Sequence, residues 1–175
     1  MNKYVLLCLI SLFLFCTIDL TAYNSLQVQD VKQTWRYSRG TIDSAVLTVK
    51  PAGAYFEYGL YLTFSAKGST MTKSTDTLEI QYTFDLNRNA IMIDSWLWVE
   101  DTIVKAMLID QAQAQQIYEG IVNRRKDPSI LYKRSQTSYE FRIFPLVGSS
   151  SRTVKISWLE PANWSAKTVS ALLNT

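Results

Sequence analysis

The chain has 175 residues, a formal net charge of +3 and no histidine. That length suits one domain with a real apolar core. The small charge argues against nucleic-acid binding, and the missing imidazole excludes His-based nucleophile dyads and most zinc sites.

Lys3 gives a short basic start, and residues 4–15 form an apolar run of twelve (YVLLCLISLFLF). Leu20-Thr21-Ala22 then offers a small residue to signal peptidase. This layout predicts a secretory signal peptide over residues 1–22. The run is shorter than the about 20 residues a spanning helix needs, and a retained anchor is the alternative. Cys16 invites a lipoprotein reading, but Phe15 stands where a small residue would be expected. Cleavage after Ala22 removes both Cys8 and Cys16. The mature chain then has no disulfide framework, which favours a bacterial-type export route or a core that needs no staples. No transmembrane span follows.

Residues 23–39 form an N-terminal segment with a strand expected over 27–37. Residues 45–50 read as a short strand ended by Pro51 and Gly53. Residues 54–65 alternate, with Phe56, Tyr58, Leu60, Leu62 and Phe64 on one face. Tyr55, Glu57, Gly59, Tyr61 and Thr63 share the other, which is apolar enough to be partly covered. A Gly/Ser/Thr loop over 67–77 leads to 78–86, where Leu78, Ile80, Tyr82, Phe84 and Leu86 oppose Glu79, Gln81, Thr83 and Asp85. One buried and one wet face is the mark of an antiparallel sheet. After a turn at 87–89, residues 91–99 and 103–109 form a pair around Glu100 and Asp101.

The period then changes to that of a helix. Asp110 can cap it, with Gln113 completing a capping box. Ala114, Ile117, Tyr118 and Ile121 make one apolar stripe, and Arg124, Arg125 and Lys126 suit its C-terminal end. Asp127-Pro128 stops it. Strands over 130–134 and 139–144 follow, and Gly148-Ser-Ser-Ser151 turns into 152–160. There Val154, Ile156 and Trp158 oppose Lys155 and Ser157. The fold expected is mainly β: an antiparallel β-sandwich with one packed α-helix inserted between strands. Residues 163–175 read as an extension that starts a further element.

Residues 40–162 resemble the VIT domain, the vault protein inter-alpha-trypsin module. The marks are Pro51-Ala-Gly-Ala-Tyr55 before a strand, Phe84-Asp-Leu86, Asn89-Ala90 and Val104-Lys-Ala-Met-Leu108. Then come Ala114 four residues before Tyr118, Tyr139-Glu-Phe-Arg-Ile-Phe-Pro145 and Thr153-Val-Lys-Ile-Ser-Trp158. Two departures lie where the family carries a glycine hairpin and a charged helix start; here the chain reads Glu100-Asp-Thr102 and Asp110-Gln-Ala112. The resemblance implies that Ala114, Tyr118, Phe141 and Pro145 are structural marks. It implies a non-catalytic, cofactor-free module of secreted or surface proteins like the inter-alpha-trypsin inhibitor heavy chains, working through protein–protein contacts. Such modules usually precede a von Willebrand factor type A domain with a metal-binding Asp-x-Ser-x-Ser loop. No such loop occurs here, since Asp127-Pro-Ser129 runs into Ile130 and Leu131. Either the chain is a stand-alone module, or, as the start of a further element after residue 162 favours, it is the front piece of a longer protein that would carry the loop downstream.

The remaining candidates have plain readings beside functional ones. Ala114 and Tyr118 suit close helix packing, with a hydroxyl that needs a partner. Trp96 and Trp98 share one strand face about 7 Å apart. They either pack or stack sugar rings, which would make this a carbohydrate-binding β-sandwich. Asp94, Glu100 and Asp101 contain a conceivable glycosidase pair, but a solvated turn explains them more simply. Arg124, Arg125, Lys126, Lys133 and Arg134 either meet an acidic polysaccharide or form a solvated helix end. Asn163-Trp-Ser165 is a glycosylation pattern in a eukaryotic secretory route. No catalytic residue, metal ligand or cofactor site is assigned.

Overall fold

A computed structural model of the chain describes residues 25–99, 102–105 and 129–170. Twelve strands follow in order: β1 (Ser25–Asp30), β2 (Tyr37–Arg39), β3 (Thr41–Ala52), β4 (Tyr55–Ser65), β5 (Thr77–Asp85) and β6 (Ile91–Val99). Then come β7 (Thr102–Lys105), β8 (Ser129–Lys133), β9 (Ser138–Val147), β10 (Ser151–Pro161), β11 (Asn163–Trp164) and β12 (Val169–Ser170). They form a five-stranded sheet β2-β1-β5-β9-β8, a five-stranded sheet β3-β4-β10-β6-β7 and the small β11-β12 hairpin. Every pairing is antiparallel. The chain crosses from the first sheet to the second at Gly40, between β2 and β3.

The alternation read from the sequence decides which face is buried. Leu78, Ile80, Tyr82 and Phe84 of β5 turn inward, as do Tyr58, Leu62 and Phe64 of β4 and Val154, Ile156 and Trp158 of β10. These side chains and those of Leu26, Val28, Leu97, Phe141 and Ile143 form one cluster drawn from both sheets. Phe64 of the second sheet meets Tyr82 of the first with ring centroids 5.2 Å apart. Tyr82, Phe84 and Tyr139 continue as a stacked ladder at 5.3 and 5.7 Å. Burying each such side chain contributes about 1.5–3 kcal/mol, so the shared cluster holds the two sheets together.

The mainly β, antiparallel expectation holds. No helix occurs among the described residues, and the helix expected over 110–126, with Ala114 and Tyr118, lies outside them. Several boundaries move for identifiable reasons. The strand expected over 27–37 is two strands, because Asp30 ends β1. Its Oδ1 accepts the backbone N–H of Lys32 and of Gln33, and its Oδ2 binds Arg36 at 2.9 Å. Such local carboxylate–backbone bonds compete with a ladder. β1 pairs with β5 along its whole length, so the sheet begins before residue 40. β3 runs through Pro51 rather than stopping before it. It lies at a sheet edge, where a missing N–H is tolerated. Residues 163–170 make the exposed β11-β12 hairpin, and the rest of the extension expected over 163–175 lies outside the described residues.

Candidate functional site

The outer face of the second sheet carries the most ordered array of polar and aromatic side chains. Register places Val46 of β3 opposite Tyr61 of β4, and Tyr61 opposite Lys155 of β10. Lys155 in turn faces Trp96 of β6, and Trp96 faces Lys105 of β7. One row thus crosses all five strands. Its neighbour is a row of small groups, Thr48, Gly59, Ser157 and Asp94.

The Lys155 ammonium lies 4.4 Å from the Trp96 ring centre and 5.5 Å from that of Tyr61. Lys105 lies 5.3 Å from the same Trp96 ring. Each such cation–ring contact is worth about 0.5–1 kcal/mol where water reaches it. Gly59 makes room for this arrangement. A Cβ there would stand 2.7 Å from Thr48 Oγ1 and 3.2 Å from Lys155 Cε. Asp94 orients the indole: its Oδ2 accepts the Trp96 Nε1–H, and its Oδ1 accepts the backbone N–H of Ser95 at 2.8 Å. The same carboxylate is 4.0 Å from Lys105.

Trp98 completes the patch. Its ring lies 6.0 Å from Trp96 at 53° and 6.2 Å from Tyr61 at 44°. The rings are half-buried and mutually tilted, so they make a corrugated surface rather than a flat stacking platform. Two ammoniums over aromatic faces with one carboxylate can bind carboxylate-bearing and apolar groups together. They offer no paired acid and base.

The other sequence candidates settle as follows. Phe141 is fully buried and pairs with Tyr82 and Leu131. Pro145 follows a cis peptide after Phe144, and its carbonyl accepts Arg152 Nε–H at 2.9 Å. Asp94 is committed to Trp96 and Lys105; Glu100 and Asp101 lie outside the described residues. The basic set does not form an open patch in its described part. Arg134 binds Glu140 at 2.8 Å, and Lys133 covers the Tyr139 ring at 5.4 Å. Arg124, Arg125 and Lys126 lie outside the described residues. Asn163 is exposed on β11. Among the described residues no group of three His, Cys, Asp or Glu side chains could hold a metal ion.

Besides Asp30, two further buried carboxylates, Glu140 and Glu160, were not singled out from the sequence. Glu140 accepts the Tyr132 hydroxyl at 2.5 Å and Arg142 Nε–H at 2.6 Å, besides Arg134. Burial alone would push its carboxyl up. The bonds from Tyr132 and Arg142 and the charges of both arginines outweigh that and hold it below the ordinary glutamate value. Tyr132 is pushed up to about 12 by burial and by its bond to Glu140. Glu160 accepts Trp158 Nε1–H at 2.9 Å and Asn87 Nδ2–H at 2.6 Å, and Trp158 stacks on Tyr58 at 5.2 Å and 7°. Both clusters join neighbouring elements.

A model of the vault protein inter-alpha-trypsin (VIT) domain matches residues 58–158. The match opens and closes on the stacked pair Tyr58 and Trp158. It contains the whole cation–aromatic patch but none of β1, β2 or β3, nor the first residues of β4. No curated protein matches the chain.

Proposed function

From a chain that belongs to the vault protein inter-alpha-trypsin (VIT) domain family, we propose an exported, non-catalytic module that holds partner proteins at the cell surface or outside the cell. The observation that carries the contact surface is the Tyr61–Lys155–Trp96–Lys105 row with Trp98 beside it. Tryptophan and tyrosine are enriched among the residues that carry interface energy, and the lysines beside them steer a partner of opposite charge. Here they are held in place by Asp94 and by the space at Gly59. The partner surface this fits carries carboxylates among apolar groups. Export rests on the leader pattern of residues 1–22. Among the described residues no helix is long and apolar enough to cross a membrane.

A photoreactive phenylalanine at position 98 tests the surface in producing cells. A discrete protein adduct is expected there, and none from the same probe at Thr83 on the first sheet. Lys155→Glu should abolish the adduct while destabilising the fold by no more than about 2 kcal/mol, the value of its two ring contacts, and added salt should weaken the adduct. Equal adducts from both positions would remove the surface from consideration. A glycan array addresses the carbohydrate-binding alternative and any acidic polysaccharide partner: sugar binding lost in Trp98→Ala would replace the protein-contact reading. A von Willebrand factor type A domain of the same parent protein is one proposed partner. An Asp-x-Ser-x-Ser loop encoded beyond Thr175 would support it. For export, N-terminal sequencing of secreted protein should begin at Tyr23, and an intact Met1 would refute cleavage.

A further inference from the structure

The two five-stranded sheets end in four edges: β2, β8, β3 and β7. Three are short, with 3, 5 and 4 residues in β2, β8 and β7. β3 has 12. A long edge strand offers unpaired N–H and C=O groups to another strand. Proteins normally blunt such edges with charges, prolines, bulges or shortness. β3 carries those guards only at its ends. A register shift falls between Ile42 and Ser44, where Asp43 is the extra residue, and Lys50-Pro51 closes the other end. Residues 44–49 between them contain no charge and no proline.

This middle stretch is also apolar on both faces. Val46 is 53% exposed on the outer side, beside Tyr61; Leu47 at 42% and Val49 at 38% lie on the inner side, beside Leu60 and Tyr58. A strand that exposes apolar groups on both faces lacks a neighbour along its edge, not cover over one face. Among the described residues no strand takes that place.

We propose that two copies of this chain pair edge to edge through β3, antiparallel and centred on Leu47, and join their second sheets into one of ten strands. The occupant follows from the self-complementarity of the strand. A two-fold axis perpendicular to a sheet keeps each face on its own side, so opposed residues must share a face. Centring on Leu47 satisfies this. Val46 then opposes Thr48, Ala45 opposes Val49, and Ser44 opposes Lys50. The outer pair is β-branched on both sides, a favourable cross-strand match. The ends match in charge, because Lys50 of each copy comes beside the Asp43 bulge of the other. Asp43 already binds Lys67 at 2.9 Å and Ser65 at 3.0 Å, so it steers the register rather than tying it. Because the axis preserves faces, both cation–aromatic patches end on one side of the joined sheet. Their Trp96 residues stand about seven strand spacings apart, roughly 34 Å. A partner with two contact points would then bind bivalently.

Ser44 is exposed and supplies the test, read by analytical ultracentrifugation of the purified chain. A monomer–dimer equilibrium is expected below about 200 µM. Ser44→Lys sets lysine opposite Lys50 twice and should weaken dimerisation about tenfold. Ser44→Glu sets opposite charges together and should tighten it by a similar factor. Ser44→Lys combined with Lys50→Glu should restore it. The single Ser44 variants should keep the parent unfolding midpoint when measured as monomers, and the double variant, whose Lys50→Glu change faces Glu57 of β4, should lose no more than about 1 kcal/mol. A chain that stays monomeric throughout that range overturns the proposal. So does a dimer whose strength responds equally to lysine and glutamate at position 44.

Discussion

Glu140 shows how a single buried charge is made tolerable. Taking a carboxylate out of water costs several kcal/mol unless partners repay it. Here one hydroxyl and two guanidinium groups do so. Glu140→Gln should destabilise the fold by about 2 kcal/mol, less than a fully buried pair would, because both arginines keep some contact with water. The pH dependence has a definite sign. The folded carboxyl titrates below the unfolded value of about 4.3. Its contribution is complete above that value and is lost as pH falls through the folded one. Denaturant melts between pH 5 and 2 should therefore show a slope that Glu140→Gln flattens. Tyr132 works at the other end of the scale. Its folded value of about 12 lies above the ordinary tyrosine value of about 10, so its contribution is lost as pH rises from the lower figure to the higher. Tyr132→Phe should remove that alkaline component.

At the scale of elements, the turn between β9 and β10 is locked onto the loop before β5. The Gly148 N–H donates to the Asp76 carbonyl at 3.0 Å. A Cβ at Gly148 would stand 2.5 Å from the Met71 carbonyl oxygen and 2.7 Å from that of Lys73. Those are backbone atoms and cannot swing aside. Gly148→Ala should cost about 2–3 kcal/mol, measured as a lowered urea midpoint with an unchanged slope. The same substitution at Gly59 meets side-chain atoms instead, so it should disturb the patch more than the fold. A changed Trp96 fluorescence with a midpoint shift within about 1 kcal/mol would show this.

For the whole molecule, the decisive feature is that one apolar cluster serves both sheets. Phe64 is fully buried and bridges them through Tyr82. Phe64→Ala should cost about 3–5 kcal/mol. With Trp35 and Trp164 replaced by phenylalanine, tryptophan fluorescence reports on the second sheet, and resolved NMR signals of Tyr82, Tyr132 and Tyr139 report on the first. Both should be lost at one midpoint, because neither sheet keeps a core without the other. Two separate midpoints would mean that the sheets fold independently.

Periodicity by itself determined the class of the fold and the buried face of β4, β5 and β10. The alternations in residues 54–65, 78–86 and 152–160 reappear as the inward faces of β4, β5 and β10, since a pleated strand turns alternate side chains to opposite sides. The order of elements was also enough to identify the family that residues 58–158 match. It could not give the neighbours of a strand. Trp96 and Trp98 were legible as sharing a face. Tyr61 was legible only as lying on a half-covered side, and Lys155 only as pointing away from Trp158. Their meeting depends on β10 lying between β4 and β6, a pairing over 90 residues of sequence in the case of Thr63 and Thr153. The end of β1 at Asp30, the passage of β3 through Pro51 and the long edge that β3 leaves unpaired among the described residues belong to the same class. Each depends on which backbone groups find partners, and that is decided by the assembled sheet rather than by the local chain.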